Sequence, residues 1–75
     1  MVTSAIQKMA NKYAKREFGE DLLYSLYLGK DNGMKGYNIY EFKVFLKDNK
    51  EYYLNIIEIQ KGNKKEFVYD LTPKD

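Results

Sequence analysis

The chain has 75 residues, a formal net charge of +2, and no cysteine, histidine or tryptophan. That length makes one domain, near the lower limit at which a hydrophobic core holds a fold unaided. The missing residue types exclude disulfides, thiolate metal sites and imidazole chemistry, so packing must carry the fold, and eight Tyr and four Phe supply the area for it.

The first predicted element is a helix over about residues 4–18. Ser4 stands as its N-cap with Gln7 at capping-box spacing. Val2, Ile6, Met9, Ala10, Tyr13 and Ala14 then fall on one face at helical spacing. Gly19 closes it, because glycine takes the left-handed conformation of a helix C-terminus. Lys8, Lys12 and Lys15 line the opposite face, and residues 1–19 carry a charge of +3 against −1 for residues 20–75.

Residues 20–30 admit two readings. Leu22, Tyr24, Leu26 and Leu28 alternate with Leu23, Ser25 and Tyr27, which suits a strand over about 21–29, and the turn signal Asp31-Asn32-Gly33 follows directly. The same leucines also suit a short helix ended by Gly29. The strand is the preferred reading.

From Tyr37 onward three β-prone runs, about 37–47, 51–61 and 64–71, are joined by short turns. A two-residue turn at Gly62-Asn63 sets Ile57 opposite Val68, Glu58 opposite Phe67 and Leu54 opposite Leu71. A three-residue loop at Asp48-Asn49-Lys50 sets Leu46 against Tyr52, Val44 against Leu54 and Phe42 against Ile56. It is chosen because a two-residue loop would mix apolar and polar faces. Thr72-Pro73-Lys74-Asp75 reads as a polar tail. The expected architecture is α+β: an N-terminal amphipathic helix packed on one face of a three- to four-stranded antiparallel meander, a two-layer sandwich.

The second face of that sheet is the main functional clue. Tyr37, Ile39, Phe45, Tyr53, Ile57, Ile59 and Val68 form an apolar strip, interrupted by Glu41, Lys43, Asn55, Glu66 and Asp70, where a lone domain should be polar. Either a partner covers this strip or segment 20–30 folds over it. A second clue is basic: Lys8, Lys12 and Lys15 on the helix, with Lys61, Lys64 and Lys65 at the last turn, beside tyrosines of the kind that stack on single-stranded nucleic acid.

Catalytic and metal motifs are not found. Glu41, Glu58, Glu66 and Asp70 are set against Ile57, Phe67, Ile59 and Asn55, so no two acids oppose each other directly. Glu58 alone points toward the helix. Asp31-Asn32-Gly33 begins like a calcium loop, but the twelfth position is Phe42 instead of a bidentate Glu. Gly29, Gly33 and Gly36 match no phosphate-binding fingerprint and read as turn residues.

Helix, strand and the Tyr-rich YNIYEFKVFLKDNKEYYLNIIEIQKG together resemble PepSY-like and cystatin-like domains. Both families lay one helix on an antiparallel sheet and are associated with inhibitory or regulatory binding. The PepSY ending is not matched, since Tyr69-Asp70-Leu71-Thr72 runs into Pro73, and cystatin's glutamine-valine-glycine loop is replaced by Lys47-Asp48-Asn49-Lys50. The resemblance implies fold and a binding role, and transfers no functional residue.

The expected function is a small non-enzymatic protein-binding module, acting through the aromatic-aliphatic sheet face or an edge. No catalytic residue, metal or cofactor is expected, and no small-molecule substrate is evident. The expected partner is another protein or a second copy in a homodimer; nucleic acid bound by the basic patch is the alternative. Lys, Asn, Tyr and Ile make up 31 of the 75 residues, a bias of AT-rich codons that points to a low-GC bacterium, and with it to an inhibitor or adaptor from a phage or mobile element. Neither a signal peptide nor a run of roughly 18 apolar residues is found, so the expected location is cytoplasmic, away from membrane.

Overall fold

Apolar residues at helical spacing in the N-terminal segment form α1 (Val2–Phe18) in the computed structural model, which describes residues 2–74. A 3₁₀ turn (Gly19–Asp21) leads into β1 (Leu22–Asp31), β2 (Tyr37–Leu46), β3 (Glu51–Lys61) and β4 (Lys64–Pro73). The strands pair in chain order as one antiparallel sheet, β1-β2-β3-β4, with α1 on one face. Segment 20–30 is therefore a strand from Leu22 onward, and it does not fold over the other face.

The helix closes at Gly19, whose φ of 58° carries the backbone out of the helical path as expected. It starts earlier than its capping signal implied. Ser4 lies within α1 and is not its N-cap, and Gln7 reaches across to β1, donating from Nε2 to Ser25 Oγ at 3.2 Å and to Asn11 Oδ1 at 3.0 Å.

Ile6, Ala10 and Ala14 of α1 are buried against Tyr40, Phe42, Val44, Leu46, Leu54 and Ile56. The two alanines let the helix backbone come close to the sheet, and bulkier residues seal the rim. Tyr13 stacks on Tyr69 with ring centroids 4.4 Å apart, and Phe18 packs on Tyr52 at 4.8 Å. Full burial of side chains such as Phe42 and Leu54 is worth roughly 1.5–3 kcal/mol each.

The β3–β4 register is the expected one, from Lys61↔Lys64 through Ile57↔Val68 to Leu54↔Leu71. β4 continues further than expected, so Thr72 and Pro73 belong to the strand and not to a tail. The β2–β3 register differs by two residues: Phe42 faces Leu54, Val44 faces Tyr52, and Glu41 faces Asn55 instead of Ile57. The loop does have three residues, but they are Lys47-Asp48-Asn49. Asn49 N–H donates to Leu46 O at 3.3 Å, and Leu46 N–H to Lys50 O at 2.9 Å. The cause is local. Such loops end on a residue in the left-handed conformation, which Asn49 takes at φ 65°; the expected loop would have placed Lys50 there, and asparagine tolerates it better. A shift of two preserves the side-chain alternation, so the division into faces survived the error.

β1 is the irregular strand. Its pairing with β2 slips between Leu22 and Tyr24 and again between Tyr27 and Gly29. Each bulge sets an extra residue against β2. Gly29 is thus part of a bulged strand and not of a turn, and its φ of 142° is open to glycine and to few other residues.

Candidate functional site on the open sheet face

Strict alternation along β2 and β3 sends Phe42, Val44, Leu54 and Ile56 under the helix and leaves the intervening residues on the far side. All seven predicted interface residues lie on that open face. Tyr37, Tyr53 and Val68 are 41%, 38% and 46% exposed, and Ile39, Phe45, Ile57 and Ile59 are half-buried by their neighbours.

The register arranges them into two clusters. Toward the β3–β4 hairpin, Ile39, Ile57 and Val68 stand in one row across three strands, with the Tyr37–Ile59 pair beside them. Toward the other end, Phe45 and Tyr53 flank Lys43, whose Nζ lies 5.5 and 5.9 Å from their ring centroids. Glu51 holds the same ammonium at 3.0 Å. The hydrogen bond between them, above all, lowers the Glu51 carboxyl below its ordinary pKa and raises that of Lys43, and Lys74 adds a second bond to Glu51. Between the clusters runs a polar row, Glu41, Asn55 and Asp70.

β1 adds residues that sequence reasoning missed. Tyr24 pairs with Phe45, rings 4.7 Å apart, and Leu26 pairs with Lys43. Leu23, Tyr24, Leu26 and Leu28 are each about half exposed, while Ser25 and Tyr27 turn toward the helix. The leucine row was visible in the sequence, but which side it takes depends on bulges whose only signal is Gly29 inside a strand pattern.

The basic residues and the exposed tyrosines do not share a surface. Lys8, Lys12 and Lys15 are exposed on α1, on the opposite side of the sheet from Tyr37 and Tyr53. At the hairpin, Lys61 is paired with Glu66 at 3.0 Å and Lys65 with Glu58 at 3.5 Å. A groove of about 550 Å³ beside α1 is lined by Lys12, Lys15, Arg16, Tyr13 and Tyr69. Its aromatic surface is partly spent: Tyr69 stacks on the Tyr13 ring, and the Arg16 guanidinium lies 5.1 Å from that ring's centroid.

Glu58 is buried under the helix layer. Its Oε1 accepts hydrogen bonds from Asn38 Nδ2 at 2.8 Å and Tyr40 Oη at 3.1 Å. Asn38 is the main cause that holds the carboxyl below its usual range, helped by Tyr40 and Lys65 and opposed by burial. Burial and the bond to Glu58 push the Tyr40 phenol up. Such a carboxylate stays ionised at neutral pH and is matched to holding strands together, not to shuttling protons. Among the described residues, no three of His, Cys, Asp and Glu gather as a metal site, and no helix is long and apolar enough to cross a membrane.

No family model, curated protein or solved structure matches the chain. The PepSY-like and cystatin-like resemblance therefore stands on strand pattern alone.

Proposed function

We propose that the protein is a non-enzymatic binding module whose open sheet face engages another protein. The observation that carries this reading is the apolar surface built by Tyr24, Leu26, Tyr37, Tyr53 and Val68 around half-buried Ile39, Phe45, Ile57 and Ile59, with no element of the described residues over it. Contiguous apolar surface rimmed by polar residues marks interaction sites, and tyrosine suits them because its ring is buried while its hydroxyl stays wet. The acidic ends of the middle row, Glu41 and Asp70, favour a partner that presents a cation between two apolar contacts. They disfavour closure of this face on its own copy about that row, which would oppose like charges.

An inhibitor or adaptor role fits a domain of this size. The test is capture of partners from source-organism lysate by the tagged protein, washed at low and then high salt. We expect a protein retained at high salt and lost on Ile57→Lys or Tyr53→Glu, with the circular-dichroism spectrum unchanged. Retention by both variants would overturn the reading. The groove of Lys12, Lys15 and Arg16 supports a second reading, nucleic-acid binding, which predicts capture that weakens steeply with salt.

A further inference from the structure

The two edges of the sheet are built differently. β1 is broken by two bulges, a common means of blunting an edge. β4 pairs with β3 over ten consecutive residues without a slip, and α1 packs chiefly over β1 and β2. Lys74 N–H donates to Glu51 O at 3.0 Å, which fixes the phase of the ladder. Bonding alternates along an antiparallel pair, so Lys65, Phe67, Tyr69 and Leu71 turn their backbone N–H and C=O groups outward. Pro73, with no N–H to offer, falls in the same outward phase and ends the row.

Charge on this edge is left over as well. Lys61 pairs with Glu66 and Lys65 with Glu58, but among the described residues neither Lys64 nor Asp70 has an ion-pair partner. Both belong to the open-face set of β4 side chains.

We propose that β4 pairs antiparallel with β4 of a second copy, about a two-fold axis at Phe67, joining two four-stranded sheets into one. In this register Lys65 and Tyr69 exchange backbone bonds with their counterparts, and Phe67 meets its own copy. Lys64 of each chain then stands opposite Asp70 of the other, giving two reciprocal ion pairs. The neighbouring symmetric registers are worse. Centring on Val68 sets Glu66 against Asp70, and centring on Tyr69 sets Lys64 against Lys74; both oppose like charges twice. A shared strand is a closed, self-complementary contact, so it stops at the dimer. The apolar residues of the open face stay free in each copy, only Lys64 and Asp70 at its β4 margin being engaged, and the inference does not rest on the binding role proposed above.

Sedimentation equilibrium at submillimolar concentration tests it. The protein should sediment at twice the chain mass. Lys64→Asp alone and Asp70→Lys alone should each be monomeric, because each sets two like-charge pairs across the axis. Mixing the two variants should restore the dimer, since every cross pair is then Lys against Asp. Ile57→Lys, on the open face, should stay dimeric, and circular dichroism of each variant reports that it is folded. A monomeric wild-type protein overturns the proposal. So does a dimer indifferent to both charge reversals, a mixture that stays monomeric, or dissociation by Ile57→Lys, which would place the contact on the open face.

Discussion

The two faces of the sheet use nearly the same residue types and have opposite fates. Under α1, Phe42, Val44, Leu54 and Ile56 are wholly buried, while on the far face Phe45, Tyr53, Ile57 and Ile59 keep part of their surface in solvent. What separates them is the helix: one apolar stripe of α1 can cover one face, and among the described residues no other element covers the second. Composition alone would call both faces core. The difference teaches that an apolar residue here is structural or available according to which side of a two-residue repeat it occupies.

The strongest way to break the comparison is to attack the covered face. Phe42→Ala removes a fully buried ring at the centre of the sheet, at a cost of roughly 3–5 kcal/mol. A domain of this size has only about 4–11 kcal/mol in total. Urea denaturation should show the variant largely unfolded or with its midpoint sharply lowered, and a near-normal midpoint would mean that the face under α1 is not the core.

Glu58 is the one buried charge among the described residues, and it sharpens the comparison through pH. Its folded pKa lies below the ordinary carboxylate value, chiefly because Asn38 donates to it. The stabilisation is therefore fully present above the unfolded-state pKa, about 4.3, and is lost as pH falls through the lower folded value. Glu58→Gln should cost on the order of 1–2 kcal/mol at neutral pH, because charge-assisted bonds become neutral ones. Thermal melts from neutral to acid pH should show a shallower acid loss for the variant; identical acid limbs would mean that Glu58 is not held as the structure has it.

The division into faces was legible in the sequence because it depends only on alternation, which large apolar residues at 42, 44, 54 and 56 declare plainly. The β2–β3 register was not, because two registers that differ by two residues bury the same set. What decides between them is the backbone conformation of Asn49, and no hydrophobic pattern reports that. In β1 the alternation itself is interrupted: Leu22 packs against the core, and beyond it the bulges leave Ser25 and Tyr27 inward and Leu23, Leu26 and Leu28 outward. This is why Tyr24, Leu26 and Leu28 were missing from the expected surface. Asn49→Ala tests the register. It should cost about 1 kcal/mol, the strain of a left-handed residue with a Cβ and no side-chain amide, while Asn49→Gly should be nearly neutral. Equal losses for both in urea titrations would remove the turn as the register's cause.

The smallest expected effect is the one that defines the open face. Ile57 stands in the centre of the cluster toward the β3–β4 hairpin, flanked by Ile39 and Val68, and the helix does not reach it. A lysine there keeps its stem along those neighbours and carries its ammonium into water, toward the Glu41–Asn55–Asp70 row. Ile57→Lys gives up the packing of a half-buried side chain and should change stability by no more than about 1 kcal/mol, against several for Phe42→Ala. The variant pair is informative as a ratio measured in one urea series. If Ile57→Lys unfolds the protein as Phe42→Ala does, both faces are core, and the surface argued to meet a partner is instead part of what holds the domain together.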